Sequence, residues 1–287
     1  MQHYVCRACH KQFQSTRRPS KLNNLIWKDF VWGKQTTTQL AKRYNKSRVW
    51  INKRMQSILP KKVSHTPKPI ILVIDATFWS QKDGLLLARA SNLKKNLVWK
   101  QIETEKIVHY QDLWDQLTML GYKITAVVID GRAGVRKLFK DTPVQHCHFH
   151  QQQTITKYLT KKPKLQAGIE LKLISRKLGT TSMQEFKERL NMWYEQWRYF
   201  INEKTYHEDQ IHYSYTHKNV RSAYNSLKRN LPYLFTYQET HDLTIPNTTN
   251  CLDGYFSHLK LLLTVHRSLR TKMKYKVMNE ILQKSSC

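Results

Sequence analysis

The sequence predicts a mixed α/β domain that is interrupted by a run of helices and preceded by a small helical domain. Three observations carry this. Two short apolar runs, Ile70-Ile-Leu-Val-Ile-Asp75 and Ala126-Val-Val-Ile-Asp130, are too short for helices and rich in β-branched residues, and each ends on an aspartate. Residues 151 to about 240 carry no strand signal and read as helices containing Trp193 and Trp197. Residues 21–59 hold helical periodicity, and the proline-bearing stretch Lys61-Lys-Val-Ser-His-Thr-Pro-Lys-Pro69 follows as a linker (60–69).

In chain order, residues 1–20 are basic and cysteine-bearing. Cys6-Arg-Ala-Cys9-His-Lys-Gln-Phe13 looks like the second half of a zinc ribbon. A tetrahedral zinc site needs about four ligands, and no second C-x-x-C accompanies this pair. His3 and His10 are the candidate substitutes, and a free thiol pair is the other reading. In residues 21–59, Leu22, Leu25, Ile26 and Phe30 form one helical stripe. Thr36–Asn45 and Ser47–Gln56 then read as two short helices joined by a turn, a candidate helix-turn-helix. Arg48, Trp50, Asn52, Lys53 and Arg54 would lie on or beside its recognition helix in a DNA major groove. The bland alternative is a helical hairpin with a solvated basic face.

From Ile70 the pattern is strand, strand (Gly84–Arg89), strand (Asn96–Ile102), helix (Tyr110–Leu120), strand (Ile124–Ile129) and short strand (Val144–His148). A last amphipathic helix begins near Asp253. Three strands, a helix, a fourth strand and a late acid-bearing helix is the order of the RNase H-like fold. That fold sets acids from its first strand, fourth strand and late helix side by side. The 123 residues separating Asp130 from Asp253 exceed what the plain fold needs, so residues 151–240 become an all-helical insertion in a catalytic domain spanning 70–287.

Charge points the same way. The chain carries 49 Lys+Arg against 20 Asp+Glu, a formal net charge of +29, spread along its length. Such a surface attracts nucleic acid through phosphate neutralisation and counterion release. With 40% hydrophobic and 11% aromatic residues, it is a folding composition and not a basic tail. No apolar stretch approaches the roughly 20 residues of a spanning helix, so membrane is not an expected partner. No signal peptide is recognisable, and five scattered cysteines fit a reducing compartment. The expected location is cytoplasmic.

Asp75, Asp130 and Asp253 are therefore candidate ligands for hard divalent cations, which prefer oxygen donors. Either strand-end acid alone would be unremarkable in any α/β domain. Gln145-His-Cys-His-Phe-His150 adds a C-x-x-H at Cys147 and His150, read as a structural pair or a metal contact. The other reading is a strand end whose histidines touch solvent or phosphate.

Four segments now occur in order: Val73-Ile-Asp75-Ala-Thr, Val128-Ile-Asp130-Gly, Cys147-x-x-His150, and Pro246-Asn-Thr-Thr-Asn-Cys-Leu-Asp253-Gly-Tyr-Phe-Ser-His-Leu-Lys260. Over roughly residues 65–275 the chain resembles the Mutator-like group of DDE transposases, including its bacterial insertion-sequence relatives. The resemblance implies an RNase H-like catalytic domain with Asp75, Asp130 and Asp253 as its catalytic and metal-binding acids. It also implies two Mg²⁺ or Mn²⁺ ions, Cys147 and His150 in support, and DNA partners in the form of terminal inverted repeats and target DNA, met by a homo-oligomer. Lys260, about two turns after Asp253, would face phosphate or simply solvent. This chain has Asp253 where the family usually has Glu. Two alternatives stay open: an inactive or domesticated DNA-binding derivative, and an RNase H-like nuclease that does not transpose.

Overall fold

The computed structural model describes residues 4–13, 21–59, 64–206, 211–240, 242–266 and 269–284. Residues 60–63 of the expected linker, and His3, lie outside them. In chain order the elements are β1 (Tyr4–Val5), β2 (Gln12–Phe13), α1 (Lys21–Val31), α2 (Thr37–Arg43), α3 (Arg48–Gln56), β3 (Pro69–Phe78), β4 (Gly84–Ala90), β5 (Lys95–Ile102) and α4 (Ile107–Met119). There follow β6 (Lys123–Ile129), α5 (Ala133–Arg136), β7 (Val144–His146), α6 (His148–Leu159), α7 (Gln166–Arg176), α8 (Met183–Asn202), β8 (Lys204–Tyr206) and β9 (Tyr213–Tyr215). The chain closes with α9 (Lys218–Leu234), α10 (Thr236–Glu239), α11 (Asn250–Val265) and α12 (Thr271–Lys284).

The chain divides into two compact units, one of residues up to 63 with 257–285 and one of residues 64–256. The larger unit is built on a five-stranded mixed sheet of order β5-β4-β3-β6-β7. β4 runs antiparallel to both β3 and β5, whereas β6 pairs parallel with β3 and β7 parallel with β6. β3 is buried along almost its whole length on both faces, which explains why it reads as a continuous apolar run and not an alternating one. Tyr110, Leu113 and Leu117 of α4 cover the sheet together with Val135 and Phe139.

A second core lies among the helices, from Ile155 and Leu159 on α6 to Trp193 on α8 and Leu227 on α9. Its attachment to the sheet is polar and specific. The Gln145 side chain on β7 donates to the Leu234 carbonyl at 2.9 Å and accepts from the Tyr237 backbone N–H at 3.0 Å. Thr236 Oγ1 donates to the Val144 carbonyl at 2.8 Å. The Thr236 bond caps a carbonyl of the edge strand that would otherwise be left open, and the Gln145 side chain ties that strand to the end of α9 and to α10. Asn230 bridges Arg136 and Gln151 at 3.0 and 2.8 Å, tying α5 and α6 to α9.

In the smaller unit, Thr36 and Gln39 form a reciprocal capping box that starts α2, and Ser47 caps α3 through Trp50 N–H. Leu40, Ile51 and Met55 are buried, as are Ile26 and Phe30 of α1, and α1 packs against both α2 and α3. Lys276 on α12 donates to the Met55 and Gln56 carbonyls, at 2.7 and 2.9 Å, at the end of α3. His266 bonds the Phe30 carbonyl at 3.0 Å and stacks on its ring.

Three expectations need correction. The helical stretch after β7 is not all helix, because β8 and β9 form an antiparallel hairpin inside it. Its signal was the alternating Tyr213-Ser-Tyr215, too short to register beside long amphipathic helices. The segment after Asp253 is two helices rather than one, and residues 257–285 group with the helix-turn-helix unit, so the compact units do not follow the expected 21–59 and 70–287 boundaries. The apolar face of α12, with Val277, Met278, Ile281 and Leu282 buried, is what a sequence read in order could not assign to a distant partner.

Candidate active site

Parallel pairing brings the first two acids together. Val73 on β3 is in register with Val128 on β6, and Asp75 and Asp130 each lie two residues further on. They therefore stand side by side at the same end of neighbouring strands, which lie roughly 4.8 Å apart in any sheet. Asp75 is only 7% exposed and accepts the Ala76 N–H at 2.8 Å. Asp130, half-buried, accepts the Arg132 N–H at 3.2 Å. Asp253 sits in the first turn of α11, inside the same unit.

The electrostatics record the convergence. Burial pushes the Asp75 carboxyl up to about 7, and the charges of Asp130 and Asp253 push in the same direction. His150 and the Ala76 amide oppose the rise without cancelling it. Near neutral pH the site thus holds a carboxyl poised between its two forms, as crowded acids in a low-dielectric position do.

Five residues between Gln145 and His150 have separate surroundings. Gln145 docks the helices, as above. His146 is buried against Gly131, whose φ is +83° and where an added Cβ would lie 2.1 Å from the imidazole. Only glycine allows Asp130 to be followed by that close pass. Neither ring nitrogen of His146 has a hydrogen-bond partner among the described residues, and burial drives its pKa down to about 3. Cys147 is fully buried and receives the Thr249 N–H at 3.3 Å, with the Thr249 hydroxyl 3.5 Å away. The His148 N–H donates to the Asn247 carbonyl at 2.9 Å, and its ring Nε2–H donates to the Leu234 carbonyl.

His150 completes the set. Its hydrogen bond to Cys147 raises its pKa to about 9 against the opposing effect of burial, helped by Asp75 and Asp130. Burial pushes the Cys147 thiol up, but the bonds from His150 and Thr249 outweigh it and bring it below the ordinary thiol value. Cys147, together with the His148 backbone N–H, holds residues 247–249, which lead directly into α11 and Asp253. The sequence ran the strand on to His148, with His146 and His148 alternating about Cys147; β7 in fact ends at His146, and His148 and His150 lie in the first turn of α6.

Two residues the sequence reading passed over border the acids. Tyr110 is 1% exposed and donates to Glu105 at 2.5 Å, while Arg132 pairs with Glu105 at 3.2 Å. Burial, with the charges of Asp130 and Glu105, holds the Tyr110 phenol far above its ordinary value. Nothing in the sequence distinguished Tyr110 from a core aromatic.

Three carboxylates form a donor set that suits a hard divalent cation. Among the described residues, no group of three His, Cys, Asp or Glu side chains is drawn to metal-binding separation. The acids are electrostatic neighbours, not a closed coordination shell. Cys6 and Cys9 lie together at the β1–β2 turn, where hydrogen bonds from Cys9 and Ala8 lower the Cys6 thiol pKa. The remaining candidates are elsewhere. Arg48, Lys53 and Arg54 are exposed on α3, with Trp50 under Arg54 at 4.8 Å and Asn52 half-buried. Lys260 is exposed on the part of α11 that belongs to the smaller unit.

No helix among the described residues is long and apolar enough to cross a membrane. In comparisons with protein-family models, with curated proteins and with solved structures, nothing matches this chain.

Proposed function

We propose that this chain is a DNA transposase of the metal-dependent DDE/DDD type, with an RNase H-like catalytic unit. The observation that carries the reading is the placement of Asp75 on β3 and Asp130 just past β6, each two residues beyond the in-register pair Val73 and Val128, with Asp253 near enough to raise the pKa of Asp75. The strand order β5-β4-β3-β6-β7 agrees with that fold. The net charge of +29 and the exposed cations of α3 agree with a DNA substrate.

Asp75, Asp130 and Asp253 would hold Mg²⁺ or Mn²⁺. Bound there, a pair of ions supplies Lewis acidity, activating water or a DNA 3′-hydroxyl and neutralising charge on the departing 3′-oxygen. The rest is done by the chain. Asp75 must release its proton for the acids to act together, and its pKa of about 7 sets that release near neutrality. The Cys147–Thr249 contact fixes the start of α11 and so positions the third acid. His150, cationic at neutral pH, balances part of the charge beside Asp75. No side chain is needed as a covalent nucleophile.

The test is cleavage of labelled duplex DNA with Mg²⁺, comparing the intact chain with Asp75→Ala, Asp130→Ala and Asp253→Asn. Cleavage leaving 3′-hydroxyl ends, lost in all three variants while duplex binding persists, supports the reading. Undiminished cleavage in any variant removes that acid from the site. Asp253 stands where the resembled family carries Glu, and this favours one competing reading, a DNA-binding derivative that no longer cuts. Tight duplex binding without cleavage, restored by Asp253→Glu, would select it.

A further inference from the structure

The β8–β9 hairpin has no part in the carboxylate site, yet it is built with care. Tyr206 pairs across from Tyr213, and Lys204 across from Tyr215, so these four side chains share one face of the ribbon. Thr205 and Ser214 take the opposite face. The Tyr206 and Tyr213 ring centroids are 5.9 Å apart, and Tyr213 meets Tyr215 edge-on at 5.8 Å. Lys204 Nζ lies 3.9 Å from the Tyr213 centroid, and Arg221 Cζ lies 3.9 Å from that of Tyr215. Tyr206 is 57% exposed and Tyr213 is 45% exposed.

An isolated two-stranded ribbon is at best marginal in water. This one is fastened at its root. Thr216 N–H donates to the Glu203 carbonyl at 3.0 Å, and the Thr205 and Thr216 hydroxyls meet at 2.7 Å. His217 pairs with Glu203 at 3.0 Å and stacks on Phe200 with centroids 3.5 Å apart. Arg221 also donates to Asn202, which fixes the guanidinium beside Tyr215. Rings and cations are therefore preorganised while the face stays open to solvent. Cross-strand pairing alone accounts for two tyrosines meeting; it does not account for two cations held over rings on an open face.

We propose that the Tyr206–Tyr213–Tyr215 face, edged by Lys204 and Arg221, binds single-stranded DNA by stacking its unpaired bases. Every base has a π-face, so an aromatic surface binds without reading sequence, and adjacent cations meet the backbone phosphates. The inference rests on the DNA reading above and deepens it by naming a substrate form: strand ends or distorted junctions with exposed bases.

The experiment uses the full chain and a short single strand containing 2-aminopurine, whose fluorescence falls on stacking. Comparison ligands are a duplex of equal length and a proline-rich peptide, the alternative occupant of a tyrosine face. The variants are Tyr206→Val with Tyr213→Val, Tyr206→Phe with Tyr213→Phe, and, on the opposite face, Ser214→Val, which leaves the Thr205–Thr216 bond at the root intact. Valine keeps the strand and removes the π-face; phenylalanine keeps both. The expected result is quenching by the intact chain and single-strand affinity at least about fivefold weaker for each ring removed in the valine pair. The phenylalanine pair and Ser214→Val should match the intact chain, and duplex affinity should not change. Equal single-strand affinity in the valine pair overturns the proposal. So does a matching loss in Ser214→Val, or binding of the peptide in place of the strand. Asp75→Ala retains this stacking signal, so failure of the cleavage reading and failure of this proposal are seen separately.

Discussion

Replacing Asp75 by Asn should stabilise the metal-free protein, and the gain should depend on pH in a way that separates three titrating groups. The folded chain keeps the Asp75 proton up to about pH 7, whereas an unfolded chain releases it near its ordinary value of 3.8. Between those values the folded state binds more protons, so this group makes stability fall as pH rises. The full effect is on the order of 4 kcal/mol by pH 8, because each pKa unit is worth about 1.4 kcal/mol. His146 acts oppositely. Folded, it releases its proton near 3, and its ordinary value is 6.5, so its contribution is lost as pH falls from 6.5 toward 3. Across pH 4 to 6.5 the two nearly cancel in the native protein. His150, raised to about 9, contributes stability that is complete below 6.5 and is lost as pH rises to 9.

Asparagine keeps the oxygen that accepts the Ala76 N–H and removes the ionisation. In chelator, urea unfolding should show Asp75→Asn more stable than the native chain, by roughly 2.5 kcal/mol more at pH 8 than at pH 5. The variant's stability should also climb from pH 4 to 6.5, where the native protein is nearly flat, exposing the His146 contribution. A pH-independent difference, or a variant less stable at pH 8, would refute the burial and charge argument for Asp75.

Other perturbations follow from the same geometry. Gly131→Ala should cost about 3 kcal/mol or more, from left-handed strain and collision with His146; in a His146→Ala background the collision goes, and thermal unfolding should recover part of the loss. Arg48→Gln, Lys53→Gln and Arg54→Gln together should weaken duplex binding and lower the slope of log affinity against log salt by about 0.9 for each phosphate no longer neutralised, and an unchanged slope would leave α3 as a solvated basic face. Lys276→Met should loosen the end of α3 by roughly 1–3 kcal/mol, since the Met55 and Gln56 carbonyls lose their donor. By the same packing, residues 21–59 expressed alone should show weak helical circular dichroism that residues 257–284 restore when added in the same chain.

The sheet was legible because its strands announce themselves locally. β3 and β6 are apolar and β-branched runs that lead into Asp75 and Asp130, and their parallel register turns two distant aspartates into neighbours. The Thr36 and Ser47 caps likewise mark α2 and α3 in sequence. What escaped was long-range or minimal. Lys276 belongs with Met55, 221 residues away, and no periodicity states that. His146 looked like one histidine among three, but its role is set by the missing side chain of Gly131. The β8–β9 hairpin has three-residue strands, beneath the length at which alternation becomes a signal. Cys147 was noticed for its spacing from His150, yet it also meets Thr249, on the segment that leads to the third acid.

The most direct test of the central claim is where a divalent ion binds. Crystals of the intact chain soaked in Mn²⁺ at pH 8, where Asp75 is ionised, should show anomalous density between Asp75, Asp130 and Asp253, with the carboxylates drawn in to about 2.2 Å. The density should be absent in Asp75→Asn. Manganese bound elsewhere, or at the same place in that variant, would contradict the account.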